Sequence, residues 1–215
     1  YVRSLNEWEH GVQAYLACST FVDHCVGEVL QALRDSDHGD NTIVVLWSDH
    51  GFHLGEKLRW GKRSLWEEAT RAPLIIAGPG IAPGRTCRRP VGMIDLYPTL
   101  VDLCGLPTRS ELEGLSLRPL LEDTNASWER PTLTTFGPNN HSLRSERYRY
   151  TRYADGSEEL YDHEADPKER KNLAASDTHQ HIIAEHRKWL PEINLPPAPG
   201  SKGSDSPVYE VPQEW

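Results

Sequence analysis

The chain has 215 residues, 37% of them apolar, and a formal net charge of −9. That apolar share supports one large or two small cored domains. The acid excess argues against non-specific binding to nucleic acid or an anionic membrane, so an anionic ligand would have to meet a local basic patch. Candidates for such a patch are Lys57, Arg59, Lys62 and Arg63, and the cluster Arg144, Arg147, Arg149 and Arg152; each also reads as a solvated surface cation. No apolar run is long enough to span a membrane. The cysteines Cys18, Cys25, Cys87 and Cys104 form no Cys-x-x-Cys pair, which removes a zinc ribbon or a thioredoxin-like motif.

The chain opens without an initiator methionine or a signal peptide and is already near a helical pattern, so it reads as a piece that begins mid-domain. Asn6 is a candidate helix cap, with Glu9 placed for a capping box. Apolar residues then recur at Trp8, Val12, Tyr15, Val22, Val26, Val29 and Leu33, a spacing that predicts one stripe facing a core, with Cys18 and Cys25 as buried thiols. Thr42 to Ser48 is a β-branched, almost wholly apolar run. Such a strand suits a parallel sheet covered on both faces. Leu74 to Ala77, opened by Pro73 and closed by Gly78-Pro79-Gly80, predicts a second strand. Ile94 to Cys104 predicts a helix with Pro98 near its first turn. The order helix, strand, loop, strand, helix is an α/β pattern.

Past about Leu121 the pattern changes. Pro131 to Phe136, Arg147 to Tyr153 and Glu158 to Tyr161 predict strands, the last two joined at Asp155-Gly156. His179 to Leu190 predicts an amphipathic helix whose histidines, His179, His181 and His186, face solvent. From Pro191 onward prolines predict an extended tail. The expected organisation is therefore residues 1–122 as an α/β portion, 123–190 as a small antiparallel sheet with a helix, and 191–215 as a Pro-rich tail. Asn125-Ala126-Ser127 is a glycosylation sequon, meaningful only in a eukaryotic secretory setting.

The chemistry concentrates between the two apolar strands, in WSDHGFHLGEKLRWGKRSLWEEATRAP. In open α/β sheets ligands bind beyond the carboxyl ends of strands, where Asp49 and His50 fall. Asp offers a hard oxygen and His a neutral nitrogen to a metal, and Gly51 lets the chain turn sharply just after them. Taken alone, Asp-His-Gly fits a helix cap with a satisfied histidine at least as well. His53 completes His-x-x-His, but no third nitrogen or thiolate lies nearby, so a role in supporting a ligand from behind, or in packing, is favoured. Lys62 is suited to neutralising an oxyanion or a leaving oxygen; the competing reading is a surface lysine, against which the packed loop signal Trp60-Gly61 stands. Glu67 and Glu68 read as polar residues of a short helix rather than general bases. No nucleophile motif is present: there is no Gly-x-Ser-x-Gly elbow and no phosphate-binding glycine loop.

The segment TIVVLWSDHGFHLGEKLRWGKRSLWEEATRAPLII resembles the carboxyl-terminal signature of type I sulfatases, within them the iduronate-2-sulfatase-like branch. IDLYPTLVDLCGLP, LEGLSLRPLL, RSERYRYTRY and ELYDHEADPKERKNL extend the resemblance, in the family's order, to nearly Pro197. It implies an α/β, alkaline-phosphatase-like sandwich, here partial, with a small α+β carboxyl-terminal subdomain. It implies hydrolysis of sulfate esters on a sulfated sugar or another sulfate ester. A phosphoester hydrolase of the same superfamily, or a catalytically incomplete piece that only binds anionic ligands, is the alternative. By the same resemblance Asp49 and His50 are ligands of a divalent metal, calcium in the usual case, and Lys62 contacts the sulfate and its bridging oxygen. His141 is carried as a substrate contact. The family's nucleophile is a formylglycine made from Cys or Ser in a Cys/Ser-x-Pro-x-Arg motif. Cys87-Arg88-Arg89-Pro90 does not match it, so formylglycine is expected in the missing amino-terminal half, the implied partner of this chain, which alone would be inactive. A periplasmic, secreted or lysosomal location is implied in the same way.

Overall fold

The computed structural model of the chain describes residues 7–196. The candidate cap Asn6 and the Pro-rich stretch beyond residue 196 lie outside them. The described residues gather into two compact units, 7–62 with 71–84, and 63–70 with 85–196. This grouping differs from a division near residue 122, because the short segment 63–70 is tied into the second unit by ionic contacts centred on Arg149.

The first unit opens with helix α1, Trp8–Arg34. Its apolar residues have the expected helical spacing, yet no residue of α1 is buried. Tyr15, Val22 and Val29 are 39%, 57% and 69% exposed, and Cys18 and Cys25 are exposed as well. The predicted core-facing stripe and buried thiols are therefore corrected: the stripe is at most half-buried along its length, and its amino-terminal end is covered where Trp8 and Tyr15 meet Trp60 and Phe52. Strand β1, Val44–Trp47, pairs antiparallel with a later strand, Leu74–Ala77, in register Val44↔Ala77 and Trp47↔Leu74. The expected parallel pairing is thus also corrected. The connection leaves and re-enters at the same end of the pair, where the Ser48 N–H donates to the Pro73 carbonyl at 3.3 Å. That geometry closes an antiparallel ladder, whereas a parallel one needs a crossover to the far end. Leu46, Trp47 and Ile75 are exposed, so the sheet is not covered on both faces.

Between those strands come β2, His53–Leu54, and β3, Trp60–Gly61, a second antiparallel pair. Helix α2, Glu67–Thr70, comes next, and the strand Leu74–Ala77 is β4.

The second unit carries helices α3, Leu96–Leu103, and α4, Arg118–Glu122, then strands β5 (Thr132–Thr135), β6 (His141–Arg144), β7 (Tyr148–Arg152) and β8 (Glu158–Asp162), and helix α5, Gln180–Arg187. The four strands form one antiparallel sheet in chain order. Alternation sorts its two faces. Leu143, Tyr150 and Leu160 point one way and bury against Ile183 of α5. Ser142, Arg149, Thr151 and Tyr161 point the other way and are equally buried. β6 was missed in the sequence because His-Ser-Leu-Arg offers a single apolar residue. His186 was expected in solvent but is buried, its Nε2 2.9 Å from Ser145 Oγ and its Nδ1 2.8 Å from the Ile182 carbonyl. Burial, partly countered by that carbonyl, lowers its pKa.

The polar face closes on α2 and the loop after β8 through one guanidinium. Arg149, 2% exposed, donates from Nε to Glu169 Oε1 at 2.6 Å, from Nη1 to Ser142 Oγ at 2.9 Å and to the Leu65 carbonyl at 3.3 Å. Its Nη2 meets the Glu67 carboxylate, which Arg144 Nε also approaches at 3.4 Å. Glu169 Oε2 accepts the Glu67 backbone N–H at 2.9 Å, and His163 Nε2 lies 2.9 Å from Glu169 Oε1. Arg147 is likewise committed, donating to Asp162 at 2.9 and 2.6 Å. Arg144, Arg147 and Arg149 are therefore structural ion-pair partners rather than an open basic patch.

Burial alone would raise Glu67 and Glu169. For Glu67 the charges of Arg149 and Arg144 outweigh it; for Glu169 the His163 hydrogen bond and the Arg149 charge do, and both carboxyls sit below the ordinary glutamate range. Depressed folded values stabilise the fold above the unfolded pKa of about 4.3, and that contribution is lost as pH falls through the lower folded values. Urea melts are expected to show less stability at pH 3 than at pH 7. Arg149→Met is expected to cost roughly 3–5 kcal/mol at pH 7, because it removes the guanidinium shared by Glu67 and the buried Glu169. A variant as stable as the parent would contradict the role given to Arg149.

Candidate functional site

The end of β1 sets the first two candidate residues. Ser48 continues the ladder through its backbone and donates its hydroxyl to the His50 carbonyl at 3.0 Å, fixing the turn that carries Asp49 and His50. The chain then enters the β2–β3 hairpin. Its register, His53↔Gly61 and Leu54↔Trp60, folds the strand after Gly61 back toward residues 50–52. Lys62 thus returns beside His50 although it lies twelve positions further along.

Local chemistry forces that reversal. Gly55 has φ +119°, and a Cβ there would come within 1.5 Å of the Trp8 ring, so only glycine fits. Lys57 and Leu58 take left-handed conformations at φ 50° and 55°. Such non-glycine residues cost of order 1–3 kcal/mol each. Three hydrogen bonds hold the turn: Leu58 N–H to the Gly55 carbonyl at 3.0 Å, Arg59 N–H to the Glu56 carbonyl at 2.9 Å, and Leu54 N–H to Glu56 Oε2 at 2.8 Å. An aromatic cluster then fastens the hairpin to α1. Trp8 meets Trp60 edge-on at 6.3 Å, Phe52 meets Trp60 edge-on at 6.1 Å, and Tyr15 lies 5.3 Å from Phe52. Gly11 leaves room for Trp60: a Cβ there would stand 2.8 Å from its ring. Contacts of this kind contribute about 0.5–1.5 kcal/mol beyond burial.

Asp49, His50 and Lys62 converge. Lys62 Nζ lies 2.8 Å from His50 Nε2, and Asp49 Oδ2 lies 3.4 Å from the same nitrogen. His50 Nδ1 is 2.8 Å from the Gly51 carbonyl, which can only accept. Nδ1 therefore carries the proton, and Nε2 offers its lone pair to the Lys62 ammonium. The Asp49 and His50 side chains are 71% and 32% exposed, so the triad opens to solvent. His53, by contrast, lies on β2 and is 1% exposed.

A cation fits part of this arrangement. A carboxylate oxygen and an imidazole nitrogen 3.4 Å apart can be neighbouring ligands of one ion. Calcium takes six to eight oxygens, roughly, so two donors supply a minority of its shell. Lys62 also competes for the His50 lone pair.

His141 lies in the second unit, on β6, 5% exposed. Thr135 Oγ1 is 2.9 Å from Nδ1 and Asn194 Oδ1 is 2.6 Å from Nε2. Both nitrogens are engaged within the second unit. Among the described residues, the one group of three close potential metal ligands is Glu67, His163 and Glu169, whose ligand atoms lie within 4.8 Å of one another. Arg149 and Arg144 already supply the positive charge there, so it is an ion-pair centre. Sequence reasoning missed Glu169, whose partners lie far along the chain, and the ring contacts of Trp8 and Phe52 with Trp60; Trp60-Gly61 was the one local signal of a packed loop.

Comparison with known proteins points to sulfatases. The sulfatase family model matches residues 2–106, and the model for the N-sulphoglucosamine sulphohydrolase C-terminal region matches 55–195. A sulfatase of Formosa agariphila is 44% identical over 188 residues, covering 87% of this chain and 37% of that protein. The Δ4,5-hexuronate-2-O-sulfatase of Bacteroides thetaiotaomicron is 36% identical, covering 85% of this chain and 41% of its own length. A solved structure of a 2-O GAG sulfatase superposes with a TM-score of 0.76 at 34% identity, covering 84% of this chain and 42% of that one. The chain thus spans about two-fifths of the length of these relatives.

The Lys62–His50 contact has a spectroscopic signature. Long-range ¹H–¹⁵N spectra at neutral pH are expected to show His50 as the Nδ1–H tautomer, with the Nε2 resonance moving in Lys62→Ala. An Nε2–H tautomer, or no response to the substitution, would contradict the contact.

Proposed function

Because the chain belongs to the type I sulfatase family, as a carboxyl-terminal portion with the alkaline-phosphatase-like fold, we propose that it supplies one side of a sulfate-ester hydrolase centre. The observation that carries the proposal is the convergence of Asp49, His50 and Lys62 on one solvent-facing point. The substrate class is a sulfated carbohydrate, an expectation supported by relatives named for hexuronate and GAG sulfates.

In this reading Lys62 turns its ammonium to the bridging oxygen of the ester. Negative charge grows on that oxygen as the S–O bond lengthens, and a fixed cation there lowers the barrier. His50, held by the Gly51 carbonyl, keeps the ammonium in place when substrate is absent. Asp49 and His50 are the residues of this chain that would hold a divalent cation, calcium in the usual family case. When bound, such an ion supplies Lewis-acid polarisation of sulfate oxygens. The remaining ligands and the formylglycine nucleophile come from polypeptide other than these residues. The exposed Val22 and Val29 of α1 and the exposed Leu46, Trp47 and Ile75 are surfaces that such polypeptide would bury. A periplasmic, secreted or lysosomal setting remains the family expectation; no described helix is long and apolar enough to cross a membrane.

Assayed alone, this chain is expected to release no sulfate and to bind calcium weakly; tight stoichiometric calcium binding by it would contradict the ligand assignment. In an intact enzyme carrying this segment, Lys62→Ala is expected to lower turnover of alkyl sulfates roughly 10²–10³-fold. Aryl sulfates with good leaving groups should lose much less, and equal losses on both classes would rule out the leaving-group role.

A further inference from the structure

The second unit contains a cavity of about 280 Å³ where the ends of β6 and β7 meet the segment after α5. Its walls include Asn139, His141, Arg152, Tyr153, Leu190 and Asn194. Asn194 builds its rim. The Asn194 Oδ1 accepts from His141 Nε2 at 2.6 Å and from the Asn139 backbone N–H at 3.2 Å, while its Nδ2 donates to the Pro191 carbonyl at 3.3 Å. An oxygen accepting twice leaves His141 Nε2 as a donor, and Thr135 Oγ1, 2.9 Å away, faces Nδ1. Three hydrogen bonds thus fix Asn194 in that wall.

Arg152 is the one cation in that wall, and it is exposed. Its charge acts through space on Glu158, but that carboxylate is bound to Arg187 at 2.6 and 3.0 Å and to the Tyr150 hydroxyl. Among the described residues the Arg152 guanidinium makes no hydrogen bond or ion pair, and neither does the Asn139 side-chain amide. The wall thus combines an available planar cation, an available amide, and apolar or aromatic flanks from Leu190 and Tyr153, whose hydroxyl is turned to Glu159. A guanidinium fork matches a carboxylate or sulfate, an amide matches ring hydroxyls, and the flanks match the apolar face of a pyranose. The volume lies near the lower end of small-molecule sites, which begin at about 300 Å³, and suits one ring rather than a chain.

We infer that this cavity binds a single sugar ring carrying one carboxylate or sulfate, with Arg152 taking the anion and Asn139 a hydroxyl. The inference does not rest on the role of Lys62. Isothermal titration and ¹H–¹⁵N shift mapping of the full chain would use D-glucuronate, glucose 6-sulfate, methyl glucoside and inorganic sulfate as probes. Saturable binding of either anionic sugar is expected, with shifts centred on Asn139, Arg152 and Asn194. Methyl glucoside and inorganic sulfate should each bind at least tenfold more weakly. Arg152→Ala should weaken the anionic sugar at least tenfold at an unchanged melting temperature, Asn139→Ala should weaken it a few-fold, and Lys62→Ala should leave it unaltered. Absence of saturable binding would overturn the inference, as would inorganic sulfate matching the sugars. So would Arg152→Ala binding like the parent, or Lys62→Ala abolishing the shifts.

Discussion

The second unit depends on burying a guanidinium. Arg149 is almost fully removed from water in the middle of a β-strand, a placement that costs several kcal/mol unless its donors are met and its charge is balanced. Both conditions hold. Its nitrogens reach Glu169, Ser142, the Leu65 carbonyl and the Glu67 carboxylate. Two carboxylates share two guanidiniums, because Arg144 also approaches Glu67. Glu169 then commits its second oxygen to the backbone of Glu67 and shares its first with His163. One residue of β7 thereby ties together pieces of chain roughly twenty and eighty positions away, judged by the 20- and 82-residue separations of its partners. An apolar side chain of equal volume could pack, but it could not fix the orientation of Glu67 and Glu169 in this way; a directed set of donors can.

This arrangement explains why the small sheet is buried on both faces while reading, in sequence, like a half-solvated one. Leu143, Tyr150 and Leu160 alternate with Ser142, Arg149 and Tyr161, the apolar-polar pattern normally assigned to a sheet with one wet side. The polar side is instead closed by ion pairs and by the Trp66 indole donating to Glu159 at 2.8 Å. Sequence pattern located three of the four strands but gave no sign of which polar residues would be inside. That is a matter of charge pairing across the fold, and neither Glu67 nor Glu169 has a neighbour in sequence that announces its partner.

The same distinction separates what was legible from what was not. Helices α1, α3 and α5 and strands β1, β4, β5, β7 and β8 arise from periodicity and from the punctuation of Gly and Pro, since those signals are local. β6 has too little apolar content to register. The fate of the α1 stripe was not legible either: 3.6-residue spacing reports that a face is apolar, and says nothing of whether anything sits on it. The antiparallel pairing of β1 with β4 was equally hidden, because an apolar run fits either direction and only the route of residues 48–73 decides. His186 shows the complementary error. A histidine of an amphipathic helix was assigned to its solvent face, but the helix rotates it onto Ser145.

The candidate site was the most legible part of the chain because it is the most local. Asp49, His50 and Lys62 fall within one short stretch, and a hairpin with a fixed register returns the third residue to the first two. Its precision comes from steric exclusion at Gly55 and from the ring contacts of Trp8, Phe52 and Trp60, all inside one compact unit. Geometry of that kind needs only the hairpin and α1. A metal shell needs more, since hard cations demand more oxygens than one hairpin carries. The structure thus separates two requirements, the placing of one ammonium and the filling of a cation shell. The lysine's position is set by nearby backbone, whereas a full shell for a hard cation, as proposed for this site, would need donors beyond Asp49 and His50.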